Sequence, residues 1–488
     1  MTTQSETALP APSFGAQVRS AVIWRSGTQI FSQLVAWAST FLVIRILSPS
    51  DYGLFAMTSV VLVLLSLLNG QGFANAAIQQ RDGGPQQLRQ LFGLLLAVNL
   101  TLALLQVLAA PLVAAYYRQP MVADLLRVQA LIYLTNPFLA LGTTVLSREM
   151  DFRKQAQVNV LSALTGALVA LAGALAGLGV WTLVLAPLTS FAVRGFGMAI
   201  AARVLVWPSF DFRGTGTLAA YGGTVMAGQI FWFAQTQADI VIAGRAFSAQ
   251  ELGYYTTALF LAQIFVTKVV PPLNEVAFSA YAQIQDDRAA VTAGFLKSVR
   301  LIMTLAMPFC LGLAAVAEPA VRVMLGEKWL PAAPVVSLLA LAMPFMTLHV
   351  LFGPAASALG RPGLSTRSAV VGSVLMPACY LAGVQFGPVG IAAAWLVAWP
   401  VLTVLSAAWS LPVIGLSTRD LADALLPPVL AGTAMGLGVV LTDRLLPAMP
   451  ELLRLSLLVA AGAAIYGLWL LRFARGRLDE LLATVLKR

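Results

Sequence analysis

Arg45-Ile-Leu-Ser-Pro-Ser-Asp51-Tyr-Gly53-Leu-Phe55 recurs 200 residues later as Arg245-Ala-Phe-Ser-Ala-Gln-Glu251-Leu-Gly253-Tyr-Tyr255. The arginine, serine, acidic, glycine and aromatic positions keep register. Each copy joins the end of one long apolar run to the start of the next, at the same face of whatever those runs cross. A weaker echo pairs Leu146-Ser-Arg148 with Leu359-Gly-Arg361. Two halves of six apolar segments each, of the same topological sense, follow from this pattern; such a repeat is parallel rather than inverted.

Composition says where those segments reside. Of 488 residues, 59% are hydrophobic and only 10% are charged, and the mean hydropathy is +0.84. Soluble chains carry about 25% charged residues, so a water-facing surface of this size cannot be covered. One membrane helix takes roughly 20 apolar residues. The chain therefore reads as an all-α polytopic membrane protein of about 14 transmembrane helices, in two six-helix bundles related by the repeat, plus two C-terminal helices. The expected segments are 21–47, 52–80, 90–117, 124–147, 156–177, 179–203, 215–244, 252–282, 293–317, 332–359, 364–387, 388–412, 424–444 and 452–474. The organisation is then a cytoplasmic tail over 1–20, bundles over 21–203 and 215–412, two further spans within 424–474, and an amphipathic cytoplasmic tail over 475–488. In that tail Leu478, Leu481, Leu482, Val485 and Leu486 share a helical face between basic residues, the pattern of a surface-lying helix.

The net charge of +10 would suggest nucleic acid in a soluble protein. Here the lysines and arginines alternate by loop, about twenty on the face of the N-terminus against about eight opposite, which is the positive-inside bias. Both termini are expected in the cytoplasm, and no nucleic-acid partner is. Trp24, Trp207, Trp329, Trp409 and Trp469 fall near span ends, where indoles favour the interface. Cys310 and Cys379 lie within apolar runs as packed thiols. No phosphate loop, metal-ligand cluster or nucleophile elbow occurs, so neither a cofactor nor a metal is expected. His349, the one histidine, reads as a packed imidazole.

At the repeat the chain resembles the polysaccharide-transport (Wzx-type) branch of the multidrug/oligosaccharidyl-lipid/polysaccharide exporter superfamily. The resemblance is carried by Leu47-Ser-Pro-Ser-Asp-Tyr-Gly-Leu-Phe55, Ser147-Arg-Glu-Met-Asp-Phe-Arg153, Asp239-Ile-Val-Ile-Ala-Gly244 leading to Leu252-Gly-Tyr-Tyr255, and Leu325-Gly-Glu-Lys-Trp-Leu-Pro-Ala-Ala333, in order, over residues 20 to 410. It implies two bundles around a central cavity, alternating access, and translocation of undecaprenyl-diphosphate-linked oligosaccharide repeat units across the inner membrane. Membrane lipids, polysaccharide polymerase and export proteins are the partners that it implies.

Charged residues inside spans are costly and mark function by default. Lys268, Arg194 and Arg25 fall in the cytoplasmic half of their spans and would suit capture of a diphosphate; the duller reading is snorkelling to the interface. Arg45 and Arg245 occupy equivalent outer helix ends, where they either meet cargo or pair with Asp51 and Glu251. Asp239, at the acidic position of the resembled pattern, is a candidate coupling carboxylate for a proton or Na⁺, or a partner of Arg245. Glu275 is a second such carboxylate, or a partner of Lys268. Amides suit sugar hydroxyls because each offers donors and acceptors: Asn75, Gln229, Gln237 and Asn274 are the candidates, beside Asn69, Gln71, Asn99, Asn136, Gln235 and Gln263. Pro271-Pro272, Pro308, Pro344 and Pro377 should kink their helices. The expectation is a transporter, not an enzyme. A cation-coupled small-molecule exporter of the same superfamily and a membrane glycan polymerase or ligase are the alternatives.

Overall fold

The computed structural model describes residues 31–67, 85–149, 151–204, 206–211, 216–473 and 475. Arg25, Asn69, Gln71, Asn75, Trp24 and both expected tails lie outside the described residues, except for Arg475 at the start of the C-terminal one. The described residues hold no strand. In chain order the helices are α1 (Phe31–Ile46), α2 (Pro49–Leu67), α3 (Pro85–Tyr117), α4 (Met121–Gln129), α5 (Ile132–Arg148), α6 (Phe152–Leu175), α7 (Val180–Ala201), α8 (Gly216–Ala246), α9 (Ala249–Lys268), α10 (Val270–Gln283), α11 (Arg288–Ala315), α12 (Ala317–Met324), α13 (Ala333–Ala358), α14 (Gly363–Gly383), α15 (Gly387–Ile414), α16 (Thr418–Leu445) and α17 (Glu451–Phe473). Eleven stretches of them are long and apolar enough to cross a membrane. All fourteen expected segments overlap helices, and the differences are local. The fourth is broken at Ala130–Leu131 into α4 and α5. The eighth breaks after Lys268, one turn before the missing N–H groups of Pro271-Pro272. Pro308, Pro344 and Pro377 instead sit inside unbroken helices.

Helix starts are set by local chemistry. Ser48 and Asp51 form a reciprocal cap, with the Ser48 N–H donating to Asp51 Oδ2 at 2.9 Å and the Asp51 N–H to Ser48 Oγ at 3.3 Å. Ser248 and Glu251 repeat it at 3.0 and 3.2 Å. This capping box explains the acidic position of the repeat and overturns the expected Arg45–Asp51 and Arg245–Glu251 pairs: among the described residues no ion pair joins them. Ser417 and Asp420 start α16 by the same device.

The chain folds as two compact units. One comprises residues 1–46, 65–114 and 120–223, the other 47–64, 115–119 and 224–488. Within the first, α6 and α7 form an antiparallel hairpin whose turn uses Gly177 at φ 74° and Gly179 at φ 54°. Glycines let the backbones close up, as between membrane helices generally: a Cβ at Gly195 would lie 2.6 Å from the Thr135 carbonyl oxygen, and one at Gly142 would lie 2.5 Å from the Met198 carbonyl carbon. Asn136 Nδ2 donates to Asn99 Oδ1 at 3.3 Å, and Asn99 Nδ2 to the Leu95 carbonyl at 2.9 Å, so these amides hold helices together rather than face cargo.

Within the second unit the repeat becomes a physical contact. A Cβ at Gly53 would fall 1.8 Å from the Ala249 carbonyl oxygen, and one at Gly253 would fall 1.8 Å from the Pro49 carbonyl oxygen. The first turns of α2 and α9 thus pack backbone to backbone, each glycine against the partner turn. Trp329 is fully buried beside them, with ring centroids 5.5 Å from Tyr52 and 6.1 Å from Tyr254. It is a core residue and not the interfacial anchor that its position in the chain suggests. The remaining core stacks Phe295 on Phe352, centroids 5.6 Å apart, between α11 and α13. The last two helices are tied to this unit by Tyr466, whose hydroxyl donates to the Thr304 carbonyl at 2.8 Å, and to each other by Arg454, which reaches both oxygens of Asp443 at 2.7 and 3.0 Å.

Candidate functional site

A cavity of about 770 Å³ opens inside the first unit, between α1, α5, α6 and α7, within the roughly 300–1,000 Å³ span of small-molecule sites. One face of α6 forms its long wall. Phe152, Gln155, Asn159, Ser162, Gly166 and Ala170 recur at helical spacing, polar in the first half and small in the second, so the sequence supplies hydrogen-bonding groups and then room. Ser32, Gln33, Ser39 and Thr40 of α1 face them, with Thr143 and Ser147 from α5 and Ser190, Phe191 and Arg194 from α7. Arg194 is the one charged side chain among these lining residues, and no described residue pairs with it.

Some lining groups are already engaged. Ser190 Oγ donates to the Ser162 carbonyl at 2.9 Å, Gln155 Nε2 donates to Ser147 Oγ at 3.1 Å, and Ser39 Oγ contacts the Ala167 carbonyl at 3.4 Å. Two are not: Ser32 Oγ and Asn159 Oδ1 are buried without a partner among the described residues.

The second unit holds a different kind of polar centre. Asp239 on α8 is 1% exposed. Its Oδ2 accepts from the Tyr255 hydroxyl at 2.7 Å, and that hydroxyl oxygen accepts from Trp395 Nε1 at 3.0 Å. Asp239 Oδ1 has no partner. Tyr255 and Trp395 thus hold one side of the carboxylate in a chain of two hydrogen bonds. Arg245, the alternative partner for Asp239, instead lies over the Tyr116 ring at 5.7 Å. Nothing in the sequence spacing marked Tyr255 and Trp395 as the neighbours of Asp239, since 140 residues separate them from each other.

The other expected residues are dispersed. Lys268 ends α9 with its side chain exposed, where the helix dipole favours a cation. Glu275 on α10 is exposed, and no ion pair joins it to Lys268, which corrects that expectation. Asn274 Nδ2 donates to the Val350 carbonyl at 3.1 Å and so serves packing. Gln229 and Gln237 are half-buried on α8, while Gln235 is buried where it would obstruct a Cβ at Gly372. Arg45 is exposed at the end of α1. His349 is half-buried and packs edge-on against Trp399, ring centroids 5.5 Å apart. Among the described residues no cluster of His, Cys, Asp and Glu could hold a metal. Ser32, Gln33, Asn159 and Ser190 are cavity residues beyond those expected; their legible signal is a polar side chain inside an apolar run.

The family model described as polysaccharide biosynthesis protein matches residues 42–334. The chain belongs to that family. Within this polysaccharide biosynthesis group it is 29% identical to the succinoglycan biosynthesis transport protein ExoT of Rhizobium meliloti, over 75% of this chain and 74% of that one. It is 25% identical to the teichuronic acid biosynthesis protein TuaB of Bacillus subtilis, over 93% and 95%. In fold it matches the lipid II flippase MurJ in an inward closed conformation, with a TM-score of 0.73 over 93% of this chain and 99% of that one at 14% identity. The family member described here is therefore a multi-pass membrane protein with the fold of MurJ.

Proposed function

We propose that this protein flips undecaprenyl-diphosphate-linked oligosaccharide repeat units from the cytoplasmic to the periplasmic leaflet of a bacterial inner membrane, with both termini in the cytoplasm, for exopolysaccharide, capsule or lipopolysaccharide assembly. The observation that carries the reading is the cavity among the membrane-crossing helices, whose described lining holds hydroxyls, amides and one guanidinium and no carboxylate. A glycan head cannot cross hydrocarbon because its polar groups would lose water without replacement; a cavity of this chemistry supplies the replacement. Family membership and the MurJ fold support the same reading. Alternating access exposes the cargo first to one side and then to the other.

In this scheme Arg25 and Lys268 meet the diphosphate from the cytoplasmic side, and Arg194 with its neighbours receives sugar. Arg45 and Arg245 meet cargo at the outer side. Asn75, Gln229 and Gln237 offer amide contacts. Asp239 is the coupling carboxylate for a proton or Na⁺, and the exposed Glu275 is secondary to it. A cation-coupled exporter of small cationic molecules would put a carboxylate in the cavity wall, where this chain puts an arginine.

The test is a strain deleted for this gene, with its lipid-linked oligosaccharides sorted by membrane face. Complete repeat units stranded on the cytoplasmic leaflet, with loss of surface polymer, are expected. Units that reach the periplasmic face unpolymerised would refute flipping and favour the polymerase reading.

A further inference from the structure

The register of the first unit brings four polar side chains to one level. Between the antiparallel α6 and α7, Gly173 meets Thr182, Gly166 meets Ser190, and Val158 meets Gly197. Those pairings put Arg194 opposite Ser162, one turn from Asn159. Helices α1 and α6 are the first and fifth spans and run the same way, and Ser39 touches the Ala167 carbonyl. Seven residues earlier, two turns down, Ser32 therefore lies level with Asn159. So two buried cavity atoms without a partner among the described residues, Ser32 Oγ and Asn159 Oδ1, share a level with Arg194, the one charged residue among the described lining.

Their chemistry is specific. Arg194 presents N–H donors and a positive charge, which calls for an oxyanion. Asn159 Oδ1 is an acceptor and calls for a donor, which an ionised phosphate or carboxylate lacks. The Ser32 hydroxyl takes either. One ligand must then carry both an anionic group and hydroxyls. Phe152 and Phe191 add apolar faces on which a pyranose ring can lie. The geometry points to a subsite for an acidic sugar: a hexuronate-type residue of the transported glycan, its carboxylate on Arg194 and its hydroxyls on Asn159 and Ser32. This rests on the flippase reading for the origin of the sugar, and it separates sugar recognition here from diphosphate capture elsewhere.

The test uses the full-length protein in phospholipid nanodiscs and three probes: methyl glucuronide, methyl glucoside and inorganic pyrophosphate. Titration calorimetry is expected to show the glucuronide binding at least tenfold more tightly than either other probe. Arg194→Gln should remove that preference, and Arg194→Lys should retain part of it. Asn159→Asp, which keeps an acceptor for hydroxyls but sets a like charge beside the anion, should weaken glucuronide binding at least tenfold more than it weakens glucoside binding. Equal binding of glucoside and glucuronide, preference for pyrophosphate, no binding of glucuronide by wild type, or an unchanged Arg194→Gln variant would each overturn the assignment. If Arg194→Gln does not fold, the Asn159→Asp comparison decides. Flipping of lipid-linked oligosaccharide by the wild type in vesicles is measured in parallel: flipping without glucuronide preference sinks this subsite alone, whereas absent flipping sinks the flippase reading.

Discussion

Alanine at Gly53 or Gly253 should pry apart the turns that join the two sequence repeats. A Cβ at Gly53 would lie 1.8 Å from the Ala249 carbonyl oxygen and 2.7 Å from its carbon, and the mirror contact at Gly253 gives 1.8 and 2.6 Å to Pro49. Carbon and carbonyl oxygen tolerate about 3.3 Å, so the turns must separate by about 1.5 Å. The obstructing atoms are backbone in capped first turns, which cannot rotate away as a side chain would. Overpacking of this kind costs about 1–3 kcal/mol or more, against a gain of about 1 kcal/mol from replacing glycine by alanine in a helix. Each single variant should therefore unfold at lower temperature than wild type in a detergent thermal-unfolding series. The double variant supplies the sharper test. Once one alanine has parted the turns, the second meets less resistance, so the double loss should be smaller than the sum of the singles, as expected for coupled neighbours. Unchanged melting in either single variant, or strict additivity in the double, would refute the reciprocal packing.

Removing the Tyr255 hydroxyl with Tyr255→Phe takes a 2.7 Å hydrogen bond from the buried Asp239 carboxylate, which should cost about 1–3 kcal/mol; Asp239→Asn should fold normally, yet lose any dependence of transport on a proton or Na⁺ gradient. A double-mutant cycle on Asn99 and Asn136, leucine at each, should give a coupling near 0.6 kcal/mol, the average for hydrogen bonds between membrane helices; a value near zero would show that the 3.3 Å contact contributes nothing. Asp151 caps α6, accepting the Lys154 N–H at 3.1 Å and pairing with Lys154 Nζ at 2.8 Å, and that hydrogen bond holds its carboxyl below the ordinary range. A depressed carboxyl contributes stability that is full above its unfolded value near 3.9 and fades as pH falls through the folded value. Asp151→Ala should accordingly destabilise by about 1 kcal/mol at neutral pH and by less near pH 3, as read from paired unfolding curves.

The sequence alone determined the class of molecule, because helix in a bilayer is enforced by backbone hydrogen bonding and apolar length, both of which are local and countable. It also determined the repeat, through Arg45, Ser48, Asp51 and Gly53 and their counterparts. It did not say what those residues do. Asp51 and Glu251 read as partners for arginines until their backbone caps were visible, and Trp329 read as an interfacial ring until Tyr52 and Tyr254 closed over it. Amides were legible as a set, but whether one glues helices, as Asn99 and Asn274 do, or faces a cavity, as Asn159 does, depends on which neighbour stands opposite. That is decided by helix rotation and register, which are fixed by glycine contacts such as Gly166 on Ser190 between segments that meet only in the folded chain. The tertiary structure alone thus brought Ser32, Asn159 and Arg194 to one level, because a level is a property of packed helices and has no counterpart in sequence distance.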